Sequence, residues 1–170
     1  MKLKLLLLVA GLQTAWILGM AITHEHALAT GTLILLETMP VDPRDMLRGD
    51  YVTLNYKISN VPANLFTPPL SKEISPGKTV YVLLEKRGDF YELAKASEKP
   101  LSAASGEVML RGRTEYFWNT NTVRVAYGLE RYYVRQGAGN LRGKITVKAV
   151  VPASGHAQVK QILVDGKPGR

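Results

Sequence analysis

The chain of 170 residues contains no cysteine, which excludes disulfides, a thiolate nucleophile and cysteine-based metal sites. That absence is compatible with any compartment; an oxidising one is allowed but not demanded. A phosphate-binding loop, a dinucleotide-binding glycine fingerprint and a zinc-protease histidine motif are also missing. His24 and His26 flank Glu25, but residues two apart diverge on a helix, and His156 stands alone. A metal needs several converging ligands, so neither metal nor cofactor is expected. Long basic runs are absent too. The net charge is +8, yet cations such as Lys72, Arg111, Arg131 and Lys148 are scattered. Scattered charge reads as a solvated surface, with attraction to anionic lipid head groups as the rival reading. Nucleic acid is not expected as a partner.

A single long apolar run is present, at the N-terminus. Met1-Lys2-Leu3-Lys4 opens the chain, and no charge follows from Leu5 to Ile22. As a helix that run is roughly 27 Å long at about 1.5 Å per residue, close to the hydrocarbon thickness of a bilayer. Lys2 and Lys4 precede it, so the positive-inside rule places the N-terminus in the cytoplasm and the remainder outside. A cleaved signal peptide is the competing reading, with Ala27-Leu28-Ala29 as its cleavage triplet. The run is longer than most signal-peptide cores, which favours a retained anchor in the inner, cytoplasmic membrane. The expected organisation is a cytoplasmic stub, transmembrane anchor and juxtamembrane segment over 1–29, then an extracytoplasmic domain over 30–170.

After Thr30 no helical period is sustained. Short β-rich runs separated by turn residues take over. Strands are expected over Thr32–Glu37, Asp50–Ile58, Thr79–Glu85, Phe90–Ala96, Glu107–Phe117, Thr122–Ala126, Arg131–Val134, Lys144–Val151 and His156–Val164. Gly88-Asp89 is a hairpin turn signal, and the last expected strand ends at Asp165-Gly166. Val61–Ser75, with Pro62, Pro68 and Pro69, reads as a loop. The fold class is all-β: about eight mostly antiparallel strands in a barrel or sandwich, preceded by one N-terminal transmembrane helix.

The most specific stretch is Met39-Pro40-Val41-Asp42-Pro43-Arg44-Asp45-Met46-Leu47-Arg48-Gly49-Asp50-Tyr51-Val52-Thr53-Leu54-Asn55-Tyr56. A proline-punctuated loop enters a Gly-Asp turn. From there Val52, Leu54, Tyr56 and Ile58 share one face at period two. Gly49, Asp50, Tyr51, Leu54 and Tyr56 occupy every fixed position of the motif that names the GDYXXLXY family of bacterial membrane-anchored proteins, which the chain resembles. Tyr127-Gly128-Leu129-Glu130-Arg131-Tyr132-Tyr133-Val134 and the closing Val164-Asp165-Gly166-Lys167-Pro168 resemble later segments of the same family, in order. Members often carry Pro-Glu-Gly and a charged insert after the second segment, where Arg135–Gly143 is short here. The resemblance implies a single anchor, an extracytoplasmic domain and, as partner, a multi-pass membrane protein; it implies no particular reaction.

A further resemblance, at the level of fold, is to type I signal peptidases. Thr38-Met39-Pro40 precedes Gly49-Asp50, and Lys86 follows on a later strand end. A hydroxyl beside a neutral lysine can attack a peptide carbonyl. Threonine in place of serine crowds that attack, the proline spacing is shifted, and a lysine next to a turn stays hydrated. The expectation is therefore a non-enzymatic binding or accessory domain; a Thr/Ser-Lys peptidase, or a degenerate relative of one, is the alternative. The candidate binding residues are Arg48, Gly49, Asp50, Tyr51, Tyr56, Glu130 and Tyr132, a polar and aromatic surface. Their structural alternative is plain: Asp50 caps its own turn, and tyrosines bury their rings and hydrogen-bond their hydroxyls. Gly49 and Asp50 are expected to act on stability and Arg48 on association.

The topology reading predicts that the protein recovered from membranes keeps Leu5–Ile22. Mass spectrometry of the intact chain checks this, and a mature N-terminus at Thr30 would contradict it.

Overall fold

The computed structural model describes residues 2–39, 51–69, 75–115, 121–133 and 143–168. For Lys2, Tyr51, Val52, Tyr132 and Tyr133 only the backbone is described. The chain divides into two units, Met1–Gly31 and Thr32–Arg170.

The first unit is a single helix, α1, over Lys2–Thr30. It is long and apolar enough to cross a membrane over Leu3–Thr30. Thr14, a polar interruption of the apolar run, donates its hydroxyl to the Ala10 carbonyl at 2.9 Å, so the helix satisfies its own polar side chain. The helix outlasts the expected span because Ala27, Leu28 and Ala29 are strong helix formers. Thr30 closes it with a 2.8 Å bond from its hydroxyl to the His26 carbonyl.

The second unit is all-β. Its strands are β1 (Thr32–Glu37), β2 (Tyr51–Thr53), β3 (Asn60–Pro62), β4 (Thr79–Arg87), β5 (Phe90–Ser97), β6 (Glu107–Thr114), β7 (Thr122–Ala126), β8 (Arg131–Tyr133), β9 (Ile145–Val151), β10 (Gln158–Val164) and β11 (Lys167–Pro168). Nine of them form two antiparallel sheets, in the orders β1-β9-β10-β11 and β3-β7-β6-β4-β5, while β2 and β8 pair as a separate ribbon. The arrangement is sandwich-like. Inward residues alternate as period two requires: Ile34 and Leu36 on β1, Val80, Val82 and Leu84 on β4, and Val123 and Val125 on β7 are all within 1% of complete burial.

Two local expectations are corrected. The segment after Val61 is not simply a loop. Asn60–Pro62 forms β3, Ala63–Leu65 forms a short 3₁₀ turn, and Phe66 is buried. Pro62 is tolerated because β3 is an edge strand of its sheet, where a missing N–H costs no ladder bond. The motif strand is also shorter than expected. Its ladder stops at Thr53, and Lys57–Ser59 turns as 3₁₀ helix. The alternation nonetheless continues without the ladder: Leu54, Tyr56 and Ile58 are buried, so burial rather than strand pairing holds that stretch in register.

The two edge strands of the five-stranded sheet, β3 and β5, are linked by the chain that follows β3. Beyond β3 the chain returns to β5, where Phe66 pairs with Ala96 in a parallel bridge and the Thr67 N–H donates to the Ala96 carbonyl at 2.8 Å. One bridge in place of a ladder leaves the sheet short of a closed barrel among the described residues. β6 also packs closely on β7 at Gly112. A Cβ on Gly112 would collide with the Val125 side chain and come within 2.9 Å of the Ala126 carbonyl oxygen. Gly112→Ala is therefore predicted to destabilise the domain by about 1–3 kcal/mol through overpacking, read as a lower denaturation midpoint with an unchanged slope.

Candidate functional site

The fold brings the two most recognisable sequence segments together. β2 pairs antiparallel with β8, placing Tyr51 opposite Tyr133, Val52 opposite Tyr132 and Thr53 opposite Arg131. The pairing continues past the ladder, where the Leu54 N–H donates to the Glu130 carbonyl at 2.7 Å. Two tyrosines then cross between the segments. The Tyr56 hydroxyl donates to the Leu129 carbonyl at 2.8 Å, and the Tyr127 hydroxyl donates to the Ile58 carbonyl at 2.8 Å. Burial, with the Glu130 carboxylate adding to it, pushes both phenols well above their ordinary range. Both therefore stay protonated and remain donors.

Glu130 is engaged in the turn itself. Its carboxylate accepts the Tyr127 N–H at 2.6 Å and the Gly128 N–H at 2.8 Å. Gly128 holds φ at 82°, a left-handed value that side chains disfavour. A carboxylate accepting backbone N–H groups in this way is a fixed structural acceptor.

The candidate residues from the sequence thus separate. Tyr56 is completely buried; it belongs to the interior and offers no binding surface, because a neutral ring with a satisfied hydroxyl is better packed than hydrated. Glu130 ties a turn. Tyr51 and Tyr132 lie in the β2–β8 ribbon by their backbones. Arg48, Gly49 and Asp50 lie outside the described residues. Of the hydroxyl–lysine pair, Thr38 is buried, bridges Tyr56, and donates its hydroxyl to the Ile145 carbonyl at 2.6 Å. Lys86 is exposed near the end of β4, opposite Tyr91 of β5. Among the described residues no group of His, Asp and Glu side chains is placed to hold a metal ion.

A different feature has the form of a site. A groove of about 290 Å³ runs beside β5. Its apolar lining comes from Phe90, Tyr91 and Leu93 on the strand, and from Ile58, Pro62 and Leu65 across from it. Phe90, Tyr91, Leu93 and Leu65 are only half-buried. Glu37, the last residue of β1, forms part of the wall. Its two carboxylate oxygens are taken separately, by Lys57 Nζ at 2.6 Å and Lys144 Nζ at 2.8 Å. The register explains the second contact: Glu37 lies opposite Thr146 on β9, so Lys144 occupies the diagonal position. The same ammonium stands 5.3 Å from the Phe90 ring centroid, within cation–π range. Hydrogen bonds from Lys144 and then Lys57 hold the Glu37 carboxyl below the usual carboxylate range.

Sequence patterning missed this groove because its residues come from separate regions of the chain. The one local signal is Phe90-Tyr91, adjacent aromatics on a strand that cannot both face the core.

The crossed tyrosines carry a pH prediction. A phenol whose folded pKa is raised contributes stability that is complete below its unfolded value, about 10, and lost as pH rises beyond it. Absorbance titration should therefore show Tyr56 and Tyr127 ionising only as the domain unfolds in alkali. Tyr127→Phe, which leaves the Ile58 carbonyl without its donor, should cost about 1–2 kcal/mol at neutral pH and make the loss of stability above pH 10 shallower, since one of the two raised phenols is gone.

Comparison with known proteins adds one finding about family. No curated protein and no solved structure matches the chain. The family described as GDYXXLXY protein matches residues 13–162, from within α1 to within β10. That span includes both the motif strand and the Tyr127–Tyr133 segment it pairs with, and the chain belongs to the GDYXXLXY family.

Proposed function

We propose that this protein is a non-enzymatic accessory domain held to the inner membrane by α1, with its N-terminus in the cytoplasm. Its β-domain, outside, docks on a multi-pass membrane protein or another envelope component. The observation that carries the reading is the groove beside β5: half-buried aromatic and aliphatic side chains around an open apolar space, with charged groups in its wall. Partner sites on proteins have this composition. Family membership and an N-terminal helix of spanning length fit an anchored module. Support for a peptidase is thinner, since the Thr38 hydroxyl is already committed to a buried carbonyl and a nucleophile needs a base to take its proton.

Site-specific photo-crosslinking in intact membranes tests the proposal. A photoreactive phenylalanine at Tyr91 or Leu65 is expected to yield a discrete adduct with a membrane or envelope protein. The same group at Lys160, an exposed position away from the groove lining, is expected to yield none. Loss of the adduct in Leu93→Asp, with the domain still folded, would assign it to the groove. The absence of any adduct from groove positions in folded, membrane-bound protein would refute the docking reading.

A further inference from the structure

We propose that α1 pairs with a second copy of itself inside the bilayer, through a seam in which Gln13 of one chain hydrogen-bonds Gln13 of the other. This rests on α1 being a retained membrane anchor, as read above, and adds what that anchor meets in the hydrocarbon.

The polar side chains of the helix divide into two sets. Thr14, Thr23 and Thr30 each donate the hydroxyl to a carbonyl one turn back in their own helix, at 2.8 or 2.9 Å. Gln13 and Trp16 have no such outlet. Both are exposed, and neither has a hydrogen-bond partner among the described residues. Gln13 lies at the middle of the charge-free run Leu5–Ile22, about 12 Å from either end at about 1.5 Å per residue. That depth is hydrocarbon, where an unpaired amide is strongly penalised. Trp16 sits one turn further on, inside the span rather than at the interfacial level that tryptophan favours.

Both side chains lie on one face. Leu6, Val9, Gln13, Trp16 and Met20 recur at alternating steps of three and four residues, the spacing of a left-handed two-helix seam. Gln13 takes an a position in it, where a single polar residue fixes register and partner number.

The amide itself selects the occupant. A glutamine side chain carries an acceptor oxygen and two donor hydrogens, so it complements another glutamine. In a parallel pair with two-fold symmetry, a residue on the axis meets itself. Both copies cross by the same charge-free run, so their amides lie at one depth. A foreign helix would need a polar group at that level; a second copy brings one by construction. The indole N–H of Trp16, a donor only, adds a further donor to the same seam.

The native chain has no cysteine, so single cysteines report proximity without background. Full-length Val9→Cys and Met20→Cys, on the seam, are expected to form disulfide-linked dimers when membranes are oxidised. Leu8→Cys and Leu18→Cys, on the opposite face, are expected to form none. Association is then measured by energy transfer in phosphatidylcholine vesicles, between copies labelled at an exposed Lys160→Cys. Gln13→Leu, which is more apolar and inserts at least as well, is expected to weaken association about five- to thirty-fold. Gln13→Asn is expected to retain it. Undiminished association of Gln13→Leu overturns the proposal, and so does a monomeric native chain. Disulfides from Leu8→Cys and Leu18→Cys in place of the seam positions also overturn it, since they assign the contact to the face of Gly11, Ala15 and Gly19. A photoreactive phenylalanine at Trp16 that captures a different protein and no second copy overturns it in favour of a foreign helix. The docking reading is tested apart from this, because the Tyr91 adduct does not involve α1. An intact mass lacking Leu5–Ile22 would remove the anchor and the pairing together.

Discussion

The β-domain depends on the contact between the motif segment and the turn at Tyr127–Glu130. The Glu130 carboxylate organises the turn by accepting two backbone N–H groups. The Glu130 carbonyl then receives the Leu54 N–H, and the Leu129 carbonyl receives the Tyr56 hydroxyl. Tyr127 returns the bond to the Ile58 carbonyl. The bonds to the Leu129 and Ile58 carbonyls are buried, and an unpaired carbonyl there would cost more than the bond itself contributes. Neither segment can shift without stranding its partner's acceptors. The family motif is in this light a device for joining two distant pieces of backbone, with Leu54, Tyr56 and Ile58 as its apolar face.

From that joint the positions of the neighbouring elements follow. Thr38 at the end of β1 bridges Tyr56, and its hydroxyl reaches the Ile145 carbonyl at the start of β9. The motif segment is thereby connected to the four-stranded sheet. Through β3 it is also connected to the five-stranded one, since β3 pairs with β7. Outside the core, Asn55 accepts a 2.7 Å bond from Arg124, which is also paired with Glu115. The exposed side of the same stretch is thus tied to the connection between β6 and β7. A three-residue strand by itself has little stability; interlocking with both sheets compensates for its shortness.

The groove arises where this construction leaves a gap. β5 is a terminal strand of its sheet and is tied back to the chain near its C-terminal end by Phe66 and Thr67. Toward Phe90 the apolar side chains of β5 face the 3₁₀ turn and β3 across open space. Glu37 arrives there because it ends β1, and Lys144 because it precedes β9 by one residue. An ion pair at a rim contributes little to folding. Its two exposed cations are better understood as a charged edge on an apolar recess.

The sequence by itself determined the apolar helix, the all-β character of the rest, and most strand positions. These follow from local period and from turn residues, which act within a few positions along the chain. Thr32–Glu37 and Thr122–Ala126 were legible to the residue, the first as a short apolar run between Gly31 and Thr38 and the second because it alternates cleanly. The inward set Leu54, Tyr56 and Ile58 was legible for the same reason. The ladder over those residues was not: whether a segment pairs depends on which partner lies beside it, and here the 3₁₀ turn at Lys57–Ser59 intervenes. The role of Glu130 lay equally out of reach, since a carboxylate on a turn looks the same whether it faces solvent or its own backbone. Only the tertiary structure decided the groove. It is assembled from Glu37, Lys57, Leu65 and Phe90, residues far apart in the chain, and the register of β1 on β9 brings Lys144 to Glu37 at its wall. Period and composition report which face of an element is apolar; only the packed fold decides where such a face is left uncovered.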